Sequence, residues 1–324
     1  MVRKLKVENA IGKSLAHDVV CYKPGLKTVS FKRGHVITKE DIEKLKDTGD
    51  YYVLIAEKGE KAVHEEEAAI RMARASTDAS IFHSRPTQGK VNLLAKVPGI
   101  LRVKADVVRR VNLINNFVIA TKSSNILVKK GSIIGSVKIV PLTVEESRMK
   151  MVEKVLKDNR PVIRILPPKI RKIGLIITGT EVYEGRIKDA FCPTLTRKLS
   201  EYGLKISKKV IVPDDEEKIK EEILALKRKG YELILVAGGM AVDANDVTPA
   251  AIKKTGAEIV SRGLPIFPGS MAMVAYLGKT SVLGLPACVI TDNVTSFDIL
   301  LPRILAGDKI TREELAELGN GGLL

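Results

Sequence analysis

The sequence predicts an α/β protein: a three-layer α/β/α sandwich on a mostly parallel sheet in its C-terminal part, with α+β and β-rich domains before it. Three observations predict this. After residue 171, apolar strand-like runs alternate with helical periodicities, the rhythm of βαβ units. Between about 85 and 142 the texture is instead β-branched stretches cut by Gly and Asn. The chain has 324 residues, more than the roughly 100–200 that one core usually organises.

Along the chain, Thr38 is placed to cap a helix whose apolar Ile42 and Leu45 precede Gly49, and YYVLIA at 51–56 reads as a buried strand. A helix is expected over 61–77, where Glu65, Glu66 and Glu67 come early and Arg71 and Arg74 late, the charge order a helix dipole favours. These pieces make a small α+β domain over 1–80, followed by the β-rich domain at 81–144. Residues 145–158 place Met149, Val152, Val155 and Leu156 on one helical face before Pro161, Pro167 and Pro168. A helical linker over 145–170 is the expectation.

The α/β domain is expected over 171–309, with a tail at 310–324. Its strands are KIGLIIT, KISKKVIV, YELILVA and TSVLGLP, and its first helix runs through Leu195 and Leu199. The second helix carries full punctuation: Asp214 as N-cap, Glu217 three residues on, apolar Ile219, Ile223, Leu224 and Leu226, then KRK and Gly230. A third starts near Val247, and Phe297, Leu300, Leu301, Ile304 and Leu305 give the closing helix its apolar face.

Composition narrows the function. No window approaches the ~18–20 apolar residues of a spanning helix, and MVRKLKVENA at the start holds no apolar signal-peptide region. A cytoplasmic protein without membrane segments is expected. Cys21, Cys192 and Cys288 are too few and too scattered for a disulfide framework. His17, His35, His64 and His83 all lie early, which argues against a His/Cys zinc centre in the C-terminal half. Net charge is +16, and residues 1–145 hold 26 Lys and Arg against 15 Asp and Glu. With no Trp and 4% aromatics, the basic runs lack interleaved stacking rings, so nucleic-acid binding is not expected. Solvated Lys-rich faces explain the charge more simply.

In an open parallel sheet, ligands bind in the crevice beyond the carboxyl ends of the strands. Here those ends carry Thr178-Gly179-Thr180-Glu181, Pro213-Asp214-Asp215, Gly238-Gly239-Met240 and Gly284-Leu285-Pro286. Glycine lets backbone N–H groups approach an oxyanion with no Cβ in the way, so TGT and GGM are phosphate-cradle candidates. A single Gly pair is common at strand-to-helix turns. No GxGxxG follows a strand and no GxxxxGK[ST] occurs, which argues against dinucleotide and Walker-type ATP sites. Glu181, Asp189, Asp215, Asp243 and Asp246 fall near the same edge, and carboxylates facing phosphates suit Mg²⁺. Each alone reads equally as a cap or a solvated acid.

Six segments, TGTEV, GRIKDAF, PDD, GGMAVDANDVTP, PGSMAM and GLPAC, stand in this order over about 110 residues. They resemble the molybdopterin-binding domain shared by MogA, MoaB and the central part of MoeA, with GGMAVDANDVTP the most specific. The whole layout resembles MoeA-like molybdopterin-binding proteins of anaerobic prokaryotes. The resemblance implies a molybdopterin ligand, or its adenylylated or metal-loaded form, over these loops. It makes Asp189 and Asp246 the catalytic and metal candidates. It makes Thr178, Gly179, Thr180, Glu181, Asp215, Gly238, Gly239, Met240, Asp243, Gly269, Ser270, Gly284 and Pro286 the cofactor-binding candidates. It further implies a role in molybdenum cofactor biosynthesis, as a molybdotransferase or a Mg-dependent adenylyltransferase, in a homo-oligomer, with a dimer expected. Molybdate and a client molybdoenzyme would be partners, and the basic first half suits attraction of molybdate.

Two departures bear on this. The family's usual D-S-N reads Asp189-Ala190-Phe191, and L-P-G-N-P reads Leu285-Pro286-Ala287-Cys288-Val289. They favour the alternative of a non-catalytic carrier or chaperone of finished cofactor. Cys288 stands at the ligand edge, where a thiol beside a dithiolene is conceivable, although buried free Cys is a common core residue.

Overall fold

A computed structural model describes residues 2–23, 26–56, 62–241 and 247–324. It divides into two compact units, Met1–Ile165 and Leu166–Leu324. Among the described residues no helix is long and apolar enough to cross a membrane.

The first unit has two cores. Val7, Leu15, Ile37, Leu45, Val53 and Ile55 fill the smaller, beneath the antiparallel pair Val2–Lys6 and Tyr52–Ala56. Its helix is Asp41–Asp47. Thr38 stands at that helix's entrance, but the expected bonding is reversed: its N–H and hydroxyl donate to the Asp41 carboxylate at 2.9 and 3.0 Å.

The larger core lies under a four-stranded antiparallel sheet in the order Ile81–His83, Lys90–Ala95, Ile133–Ile139, Phe117–Thr121. Helices Glu65–Ser76 and Glu146–Asp158 supply Ala68, Ala69, Met72, Met149, Val152 and Leu156 to it. The helix read as a linker therefore belongs to this core. Its apolar face needs cover, and the sheet's inner face provides it.

Arg71 clamps the two helices together. Its guanidinium donates to both Glu146 oxygens at 2.8 Å and to Glu153 at 3.1 and 2.9 Å. Bidentate pairs of this kind are the stronger ones, and Arg71→Met should destabilise the chain by about 2 kcal/mol. Hydrogen bonding to Arg71 holds both carboxyls below their ordinary range. A depressed folded-state pKa stabilises above the unfolded value, 4.5, and that contribution is lost as pH falls through the folded one. Chemical denaturation should thus find wild type and variant converging in acid; a gap that stays constant would contradict the clamp.

The second unit is a six-stranded sheet in the order Ile206–Val212, Ile173–Thr178, Leu233–Ala237, Thr280–Leu285, Met273–Leu277, Glu258–Arg262. The first four strands are parallel, and the last two join the sheet through antiparallel pairings. The central strands are buried along their whole length, as a sheet covered on both faces requires. Helices Phe191–Ser200, Glu216–Arg228, Thr248–Lys254 and Ser296–Leu305 make the outer layers.

Three details differ from the sequence reading. Glu258–Arg262 and Met273–Leu277 form a strand pair in the stretch between the third helix and TSVLGLP. The N-cap of Glu216–Arg228 is Asp215, which accepts from the Glu217 and Lys218 N–H groups at 2.9 and 3.1 Å. Residues 310–324 are no loose tail: Ile310 and Leu315 are buried, Arg312–Glu317 is a helix with a capping box, and Leu323 bridges to Phe267.

Candidate functional site

Ile173–Thr178 and Leu233–Ala237 run parallel and in register, so the loops leaving their carboxyl ends lie side by side. Two buried threonines tie them together. The Thr178 hydroxyl lies 3.4 Å from the Ala237 carbonyl and 3.3 Å from Thr248 Oγ1, and the Thr248 hydroxyl donates to the Gly238 carbonyl at 2.9 Å.

Gly238 and Gly239 turn between those threonines with φ of +104° and +58°. A Cβ on Gly238 would stand 2.5 Å from the Thr178 carbonyl oxygen, and one on Gly239 2.7 Å from Thr248 Oγ1. No larger residue fits without displacement of backbone or of the threonine pair. The Gly238 N–H donates to the Leu285 carbonyl at 3.2 Å. The Gly239 N–H has no protein acceptor among the described residues, leaving a backbone donor for an anion.

These loops floor a cleft of about 710 Å³, within the size range of small-molecule sites. Of the sequence candidates, Thr178, Gly179, Glu181, Asp189, Gly238, Gly239, Met240 and Pro286 line it. Thr180, Asp215, Gly284, Gly269 and Ser270 are not among the lining residues. Thr180 is held by Asp214, whose carboxylate accepts from its N–H at 2.8 Å and its hydroxyl at 3.2 Å. Asp215 is spent on its helix cap. Gly284 lies beneath the floor: a Cβ there would meet Met240 Sδ at 2.6 Å, so its role is to let Met240 cross the strand end. Gly269 backs onto the closing helix and accepts from the Ser296 hydroxyl at 2.8 Å, and the carbonyl of neighbouring Ser270 accepts from the Leu264 N–H at 2.7 Å. Asp243 and Asp246 lie outside the described residues.

The cleft also contains residues the sequence reading did not single out as ligands. Lys188, Asp214, Ile187, Phe191, Met271 and Ile290 all line it. Lys188 was passed over because a lone lysine in GRIKDAF carries no signal until the loop is folded over the sheet edge.

Hydrogen bonds sort the charged groups. Asp189 Oδ1 accepts from the Cys192 N–H at 3.0 Å, capping Phe191–Ser200, and Oδ2 lies 3.3 Å from Lys209 Nζ. Asp214 is committed to Thr180. Glu181 and Lys188 are thus the lining charges whose side chains have neither an ion-pair nor a hydrogen-bond partner among the described residues. Among the described residues the wall combines apolar side chains, a glycine cradle and two charges of opposite sign, Lys188 and Glu181.

Mg²⁺ fits Asp189 poorly as it stands. One oxygen is bonded to an N–H and the other to an ammonium that would repel the cation. Among the described residues no group of three His, Cys, Asp or Glu is arranged to hold a metal. Cys288 opens the short helix Cys288–Thr291, and its neighbours Ala287 and Ile290 line the cleft. Burial, then the charge of Asp292, pushes its thiol up, so it stays protonated at neutral pH and is a poor nucleophile.

Comparison with known proteins bears on the same region. Residues 174–306 match a family described as a probable molybdopterin binding domain, and residues 4–57 match a domain of unknown function. A molybdopterin molybdenumtransferase of Synechococcus elongatus is 28% identical over 144 residues, 41% of this chain and 36% of that protein. A CinA-like protein of Mycobacterium avium is 32% identical over 94 residues, 29% of this chain and 22% of that one. The chain therefore spans about a third or less of these relatives' own lengths. Among solved structures, the molybdopterin biosynthesis enzyme MoaB of Thermus thermophilus aligns at TM-score 0.36 and 20% identity, over 43% of this chain and 98% of that one. A molybdenum cofactor biosynthesis protein of Pyrococcus furiosus aligns at TM-score 0.28 and 14% identity, over 95% of this chain and 64% of that one.

Proposed function

We propose, from a second unit whose residues 174–306 are a probable molybdopterin binding domain, that its cleft takes molybdopterin or the adenylylated form during molybdenum cofactor biosynthesis. The observation that carries this reading is a coincidence of place. The family-matched residues supply both the glycine cradle and Lys188, and these line one cleft at one sheet edge.

In this reading the Gly239 N–H and Lys188 hold the terminal phosphate, a backbone donor and a point charge acting on one oxyanion. Phe191, Ile187 and Ile290 supply the apolar wall for the pterin. The finer version is a molybdotransferase, in which the adenylyl group leaves as AMP while molybdate is inserted. A non-catalytic carrier is the second reading. It is favoured by the commitment of Asp189 to a helix cap and to Lys209, which leaves that carboxylate little freedom to act on a ligand.

Lys188→Ala should weaken molybdopterin binding about tenfold, the scale of one charged hydrogen bond. Pterin fluorescence titration measures it, and affinity unchanged within twofold would remove Lys188 from the site. Turnover separates enzyme from carrier: AMP accumulating from adenylylated molybdopterin and molybdate favours the transferase, and its absence with binding retained favours the carrier.

A further inference from the structure

The first unit holds its own cavity, of about 420 Å³, on whose wall His17, Arg33, His64, Glu65, Glu66 and Lys138 meet. Some of these groups serve one another. Arg33 donates to Glu66 at 3.0 Å and lies 3.0 Å from His64 Nδ1. A guanidinium only donates, so that nitrogen accepts, and the proton sits on Nε2, which donates to the Ala16 carbonyl at 3.1 Å. His64 is thereby a neutral fixed strut. The remaining lining acids are also engaged: Asp18 accepts from the Arg33 N–H at 2.8 Å, and Asp50 from the Thr48 hydroxyl at 2.8 Å.

Three groups are left over. The side chains of Lys138 and Glu65 have no hydrogen-bond or ion-pair partner among the described residues. His17 Nδ1 is buried with no hydrogen-bond partner among the described residues. Burying a bare lone pair costs less than burying an unpaired N–H, so the His17 proton belongs on Nε2. The cavity thus offers two donors, His17 and Lys138, and one carboxyl, Glu65. The hairpin beside it makes room for that carboxyl: Gln88 and Gly89 take φ of +50° and +66°, and a Cβ on Gly89 would collide with Glu65 Oε2.

We propose that this cavity is a second ligand site, for a small zwitterion of the α-amino-acid type, with its carboxylate on Lys138 and His17 and its ammonium on Glu65. Lys138 and Glu65 offer one charge of each sign that no hydrogen bond among the described residues engages, and a zwitterion meets both. Two donors match the two oxygens of a carboxylate, and the volume lies within the range of small-molecule sites. Burial pushes the Glu65 carboxyl above its ordinary range, and an ammonium seated on it would draw it back down.

The test is calorimetry and thermal shift on the full chain, with each of the twenty protein L-amino acids as probe in turn and with inorganic phosphate. At least one amino acid should bind the wild type, and Glu65→Gln and Lys138→Met should each weaken it tenfold or more while keeping the wild-type circular dichroism. Failure of every amino acid to bind, or binding indifferent to both variants, overturns the proposal. So does phosphate binding that survives Glu65→Gln but not Lys138→Met, which would make the cavity a simple oxyanion site. None of these readouts depends on molybdopterin.

Discussion

Asp298→Ala should cost the second unit about 3–5 kcal/mol, the scale for leaving a buried charge without its partner. Lys198 is 4% exposed. Its ammonium bonds both Asp298 oxygens at 2.7 and 2.8 Å and the Asn293 carbonyl at 2.7 Å. Asp298 also receives the Thr295 N–H and hydroxyl at 2.8 and 3.0 Å, closing the capping box of Ser296–Leu305. Its loss therefore removes a helix cap and strands an ammonium at once. Lys198→Met keeps the volume and leaves Asp298, which is more exposed, with its capping donors, so about 2 kcal/mol or less is expected. Urea denaturation of the two variants checks the asymmetry, and equal losses would show that desolvation of Lys198 is not the controlling effect.

Gly238→Ala should reduce molybdopterin affinity more than tenfold and destabilise the unit by about 2–3 kcal/mol. The new methyl group would stand 2.5 Å from the Thr178 carbonyl oxygen at a φ of +104°. Relief requires the two strand ends to part, and the donor of Gly239 moves with them. Gly230→Ala is the matched control: its φ is +75°, but nothing lies within 4 Å of the added carbon. It should show only a backbone cost of about 1–2 kcal/mol, with titrations superimposable on wild type. Equal effects on binding from both substitutions would mean that Gly238 acts through general stability and not through the cradle.

The parallel strands and the glycines at their carboxyl ends were legible in the sequence because period, caps and Gly punctuation all act locally. KIGLIIT, YELILVA and TSVLGLP are buried runs that need only their own residues to be read. The pair Glu258–Arg262 and Met273–Leu277 was missed because its partners meet across a loop and one strand is half exposed. The linker helix was misplaced for a related reason: its apolar face shows that something covers it, not which sheet does so. At the candidate site, the glycine motifs pointed to the sheet edge where the cleft lies. Which carboxylates were free depended on distant partners, such as Lys209 for Asp189 and Thr180 for Asp214. Lys188 and the cavity around Glu65 emerge only once chain segments far apart in sequence are brought together.

The measurement that tests the central claim most directly is titration of the folded full chain with molybdopterin, followed by pterin fluorescence, alongside Gly238→Ala and Lys188→Ala. Saturable binding by the wild type, weakened tenfold or more in the first variant and about tenfold in the second, is the result expected if the ligand sits over the Gly238–Gly239 turn. Absence of binding by folded wild-type protein would contradict that claim and leave the cleft to another ligand.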